Sequence, residues 1–212
     1  MRKACLICGL LLGTNFAAMA RQPPKKEVKP DPQFSVLVYD YASLPSWLLG
    51  RALDHAKFIL GDAGVALAVV VCTENKPPAV CHQVFSPLSA ALRFVPHAAP
   101  GPYFHSLGYT SKPYITVNLP RVEEAAVRTG VPINRILGCV VAHELGHVLL
   151  GPDSHSAAGI MTGLWTNEVL EQIGETFIGF QPFQKELIRE GLLSQQEQTA
   201  SSGTASVAMS GR

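Results

Sequence analysis

Hydrophobic positions recur with two different periods along the chain, and the switch from one to the other marks its elements. Residues 33–39 (QFSVLVY) are β-branched and aromatic in short alternation, the period of a strand. Over residues 43–63 the period lengthens. Leu49, Ala52, Leu53, Ala56, Ile59, Leu60 and Ala63 fall on one stripe of a helix, with Pro45 near its start and Gly64 after its end. Residues 65–72 (VALAVVVC) are apolar almost throughout, as expected of a strand buried on both faces. Strand, amphipathic helix and buried strand together predict a crossover unit and a parallel pair. Residues 88–95 fit a strand or a short helix. Residues 107–109 and 114–119 predict two strands, broken by Ser111-Lys112-Pro113, with Pro120 ending the second. A short helix is expected over 123–128, stopped by Gly130.

Pro132 then suits the first turn of a helix that runs to about Leu150. Ile133, Ile136, Leu137, Val140, Val141, Leu145, Val148 and Leu149 leave it apolar almost all round, which predicts a buried helix. Histidine and glutamate interrupt it, so it reads as a core helix and not a membrane span. A last helix is expected over 182–193, with Phe183, Leu187, Ile188 and Leu192 on its buried side.

Composition adds the flanks. Met1-Arg2-Lys3, a largely apolar stretch to residue 20 and the Ala18-Met19-Ala20 cleavage signal read as a secretory signal peptide over 1–20. Residues 21–32 (RQPPKKEVKPDP) read as an extended arm, and the polar segment 194–212 as a disordered tail. One domain is left, over 33–193. The formal charge of +1 falls to about −1 once Arg2 and Lys3 leave, and no basic stripe appears, which excludes a nucleic-acid partner. The mature chain is expected to be secreted or periplasmic, monomeric and without stable membrane insertion. In an oxidising compartment Cys72 and Cys81 are placed to pair around a short loop, and Cys139 reads as a small buried residue.

Chemistry concentrates in AHELGHVLLGPDSHSAAGIM, residues 142–161. His143 and His147 lie four apart, so a helix aims both imidazoles at one point. Glu144 sits beside the first, where it can take a proton from a water activated by a metal ion. Two histidines and a carboxylate in a buried helix would each carry a desolvation cost, which binding a metal removes for the imidazoles. His55, His82, His97 and His105 read as solvated.

His143-Glu144-Leu145-Gly146-His147, Gly151, His155-Ser156 and Gly159-Ile160-Met161 carry a resemblance to the metzincin zinc peptidases, and among these to matrixins and their bacterial relatives. Gly151 falls four residues after His147 where the family has three, and His155 eight where it has six, a lengthening of the turn by two. The resemblance implies a metzincin-like zincin fold, of the α+β or α/β class. Its parts are a twisted, mostly parallel sheet, an active-site helix and a C-terminal helix. It implies one zinc ion, held by His143, His147 and a third ligand, with Met161 as an apolar floor. His155 is the first candidate for that ligand. Asp153 stands at the family's spacing of six, and Glu168 resembles the second-helix glutamate of thermolysin-like enzymes. The implied activity is endopeptidase cleavage of a peptide or protein substrate, with Glu144 as general base and the peptide along an edge strand between residues 107 and 119. The competing expectation is a catalytically silent binding module on the same scaffold.

Overall fold

The computed structural model describes residues 30–73, 77–83, 85–98 and 101–209, with side chains omitted for 202–209. The expected signal segment and nearly all of the arm lie outside these residues. Strand β1 (Gln33–Asp40) leads through helix α1 (Ser46–Asp62) to β2 (Ala66–Val71). Strands β3 (Ser89–Val95), β4 (Gly108–Ser111) and β5 (Tyr114–Asn118) complete a five-stranded sheet of order β2-β1-β3-β5-β4. All pairs are parallel except β4 with β5. Residues 88–95, open between strand and helix on periodicity, are thus largely strand. Helices α2 (Leu119–Thr129), α3 (Ile133–Leu150), α4 (Asn167–Glu175) and α5 (Pro182–Met209) follow. The result is a mixed α/β architecture with a mostly parallel sheet, as expected.

Alternate positions on the central strands build one core. Phe34, Val36 and Val38 of β1, Ala90, Leu92 and Phe94 of β3, and Ile115 and Val117 of β5 join the stripe of α1 and the apolar body of α3. α3 is long and apolar enough to cross a membrane on composition alone, but it lies inside the domain. It packs on α1, α2, α4, α5 and β4. Its hydrophobicity is therefore matched by protein on nearly every side.

Four expectations need correction. β2 is not buried on both faces: it is an outer strand, and its residues are intermediate or exposed. Its apolar run reflects a β-branched strand pressed on one side by α1, and periodicity alone does not separate the two cases. α2 begins at Leu119 and not at Glu123, with Pro120 in its first turn, where its missing N–H needs no partner. On α5 the buried stripe is Gln184, Ile188 and Leu192, while Phe183 and Leu187 are 56% and 54% exposed. The stripe passes through a glutamine because its side chain has partners: Oε1 accepts from the Gln181 amide and Nε2 donates to the Ser154 carbonyl. Finally, α5 continues past residue 193 to Met209 in place of a disordered tail. Gln195, Gln196, Glu197 and Gln198 are good helix formers even where little is buried.

The described part of the connection from β2 to β3 meets the sheet at Tyr39 and Tyr114. Cys72 and Cys81 form a disulfide within it, as anticipated. A short 3-10 turn, Ala79–His82, brings the Cys81 carbonyl to the Tyr39 hydroxyl at 3.1 Å, and Phe85 meets Tyr114 edge-on. Closing a loop of nine residues in sequence separation stabilises the fold by about 2–3 kcal/mol through the unfolded chain. Changing both Cys72 and Cys81 to serine should lower the unfolding free energy by that amount and reduce the urea midpoint, with a slope equal to or steeper than that of the bridged chain. Unchanged stability would show that the bond constrains nothing.

Candidate metal centre

The centre is assembled from α3 and the loop that follows it. His143 and His147 project from one face of α3, as their spacing requires, and the loop returns His155 to the same point. His147 Nε2 lies 3.2 Å from His143 Nε2 and 3.1 Å from His155 Nε2. Among the described residues this is a cluster of three ligand atoms that could hold a metal ion, and neither Asp153 nor Glu168 belongs to it. Both carboxylates are exposed; Glu168 serves the first turn of α4, where the Thr166 hydroxyl lowers its pKa.

The loop that carries His155 is fixed from several directions. Gly151 ends α3 at φ 105°, a conformation that favours glycine, while its amide caps the His147 carbonyl. The Ser154 hydroxyl donates to the Gly151 carbonyl at 2.7 Å, and the Ser154 carbonyl is held by Gln184 of α5 at 3.0 Å. The Ser156 amide donates to the Met161 carbonyl, closing a tight turn. Met161 is fully buried, and a methyl group on Gly146 would overlap its sulfur. This explains a glycine inside a buried helix, at a cost of about 1 kcal/mol in helix propensity.

Hydrogen bonds decide where the imidazole lone pairs point. His143 Nδ1 faces the Ile160 carbonyl at 2.7 Å, an acceptor only, so Nδ1 carries the proton. His147 Nδ1 lies 3.3 Å from the Gly151 carbonyl and 3.1 Å from Ser154 Oγ, whose own proton goes to that carbonyl. Burial pushes the His143 pKa down to about 4, and burial also lowers that of His147. Both rings are then neutral near pH 7, and their Nε2 lone pairs converge with no hydrogen between them. Two imidazole donors in that state, with His155 Nε2 3.1 Å from one of them, call for a cation. Tetrahedral zinc with Zn–N of about 2.0–2.1 Å separates its nitrogens by about 3.3 Å, close to the observed 3.1 and 3.2 Å. The residues fit such an ion.

Glu144 points from α3 toward β4. Its Oε2 lies 2.7 Å from the Thr110 hydroxyl, and burial raises its pKa to about 7 against the opposing pull of that bond. Cluster and carboxyl share a cleft of about 950 Å³, walled by β4, Tyr103, Leu164 and Trp165. Tyr103 stacks on Tyr109 at 4.6 Å, and Trp165 meets the His143 ring edge-on at 5.5 Å. Lys112, in the β4–β5 turn, donates to the Val148 carbonyl at 3.0 Å and so ties that turn to the end of α3. Sequence reasoning missed Thr110, the tyrosine pair, Trp165 and Gln184, and it left α4 unassigned. None of these lies in the motif, and only the fold brings them to it. His105, expected in solvent, is exposed at the cleft wall, whereas His55 is half-buried with Nε2 3.5 Å from Cys139 Sγ. Burial lifts the Cys139 thiol to about 12, consistent with an inert packed residue.

No family profile matches the chain, and a search of curated proteins finds no match. Among solved structures, the chain is similar to Archaemetzincin (amzA) from Methanopyrus kandleri. The identity is 16%, the TM-score 0.48, and the match covers 78% of this chain and 98% of that one.

The Glu144 shift has a measurable sign. Its folded pKa, about 7, lies above its ordinary 4.5, so the folded chain holds that proton more tightly. Burying the charged form therefore destabilises the metal-free chain fully above pH 7, and the effect is relieved as pH falls toward 4.5. Glu144→Gln should stabilise the metal-free chain by about 1–3 kcal/mol at pH 8 and by little at pH 5. Titrating groups common to both chains, His143 among them, cancel in this comparison. A gain independent of pH in paired denaturation curves would refute the assignment.

Proposed function

We propose that this protein is a secreted, zinc-dependent endopeptidase that uses Glu144 as general base. The observation that supports this best is the meeting of the three imidazole Nε2 atoms beside a buried carboxyl in one open cleft. His143, His147 and His155 would hold one zinc ion. When bound, the ion would supply Lewis acidity, polarising a scissile carbonyl and lowering the pKa of a nearby water.

The remaining work falls to groups of this chain. Glu144 takes a proton from the attacking water on its carboxylate and delivers it to the leaving amine. Among the described residues β4 pairs with β5 alone, so its outer edge offers backbone groups beside the cleft. An extended peptide can add there as a further strand, and the pairing would register a scissile bond over the site. The Ile160 and Gly151 carbonyls hold the Nδ1 protons of His143 and His147, keeping Nε2 free as the donor atom. The disulfide is consistent with an extracellular location, which suits the proposed secretion. The substrate would be a peptide or an unfolded protein, met by a monomer.

The zinc-loaded mature chain should cleave an unfolded protein, lose activity to a chelator and regain it with zinc. Glu144→Gln should retain zinc and lose about 10²–10⁴-fold in kcat. His155→Ala should lose most of its zinc, while Asp153→Ala and Glu168→Ala keep it. Chelator-insensitive cleavage, or full activity in Glu144→Gln, would overturn the mechanism. Firm zinc binding with no cleavage of any peptide library would instead establish a binding module.

A further inference from the structure

We infer that Thr110 is a positioning residue that aims the Glu144 carboxyl into the cleft; the inference rests on the peptidase reading above. Thr110 belongs to β4 and not to the helix that bears the motif. Its hydroxyl stands 2.7 Å from Glu144 Oε2 and 3.0 Å from the Glu144 backbone carbonyl. A threonine hydroxyl has one proton to give and lone pairs to accept with. One hydroxyl thus reaches both the side chain and the backbone of Glu144, and ties the carboxyl to the helix that bears it.

The neighbouring geometry supports the same role. Gly108 lies two residues before Thr110 on β4 and so shares its face. A Cβ there would stand 3.0 Å from Glu144 Oε1 and 3.1 Å from Glu144 Cγ, so its absence lets the strand close directly onto the carboxyl. Glu144 is therefore confined between its helix and β4, the strand proposed to bind the peptide. Substrate and base are then registered by the same strand, and the edge that receives the peptide is covalently continuous with the residue that aims the carboxyl.

Thr110→Val keeps the shape and removes the hydroxyl, while Thr110→Ser restores it. In the metal-free chain, a double-mutant cycle of Thr110→Val with Glu144→Ala should give at least about fivefold coupling in the unfolding constant. In the zinc-loaded chain, Thr110→Val should lower kcat about tenfold with KM within about twofold and zinc content unchanged, and Thr110→Ser should recover most of the loss. Absence of coupling overturns the inference whatever the activity. An unchanged kcat in Thr110→Val, a loss confined to KM, a loss of zinc, or no recovery in Thr110→Ser overturns it while the peptidase reading stands. A wild-type chain that binds zinc and cleaves nothing overturns both together, and is told apart by the wild-type control.

Discussion

α3 carries two imidazoles and a carboxyl into or against an interior that is mostly apolar, and each of these groups has a desolvation cost that its surroundings must offset. His143 is 8% exposed and Glu144 5%. Much of the architecture beyond the central sheet can be understood as the supply of partners for them. The Ile160 carbonyl comes from a turn some seventeen residues downstream, and the Thr110 hydroxyl from an edge strand thirty-four residues upstream. Neither could be supplied by the helix itself, whose own backbone groups are already paired. What remains unsatisfied is the inward lone pair of each imidazole, and a cation is the partner that answers all of them at once.

The two sides of the cleft solve different problems. The side made by α3 and β4 is built of regular elements, with β4 held by the sheet and by the Lys112 contact to the end of α3. That rigidity suits a base whose aim matters to within a fraction of an ångström. The side that carries His155 is a loop. It owes its definition to the turn at Met161, to Ser154 and to one buried glutamine of α5. Its two extra residues relative to the metzincin spacing, one before Gly151 and one after it, are accommodated there without removing His155 from the cluster.

This division also explains what could be read from the chain in advance. α1 and α3 announce themselves because each buries a face at helical spacing, and β1 because it alternates. The pair His143 and His147 is legible because four residues on a helix is a local distance. Thr110 is not, since nothing in Gly108-Tyr109-Thr110-Ser111 indicates which helix the strand will meet. β2 and α5 misled for a related reason. An apolar run does not reveal whether a strand is central or outermost, and a buried glutamine cannot be anticipated until the carbonyl it serves is known. Local pattern fixed the elements that bury surface by themselves, and long-range hydrogen bonds fixed the rest.

Gln184 and Phe180 have a consequence in time as well as space. One holds the carbonyl before His155, and the other packs near Gly146 and Met161. Both belong to the last fifth or so of a chain of 212 residues, while the sheet and α3 come earlier. A chain is made and begins to fold from its N-terminus. The motif helix and β4 can therefore dock before the loop bearing the third imidazole has its anchor. The proposed metal site would be completed by a helix made after the motif, so that a chain interrupted before it is left with two of its three histidines in place and no competent centre.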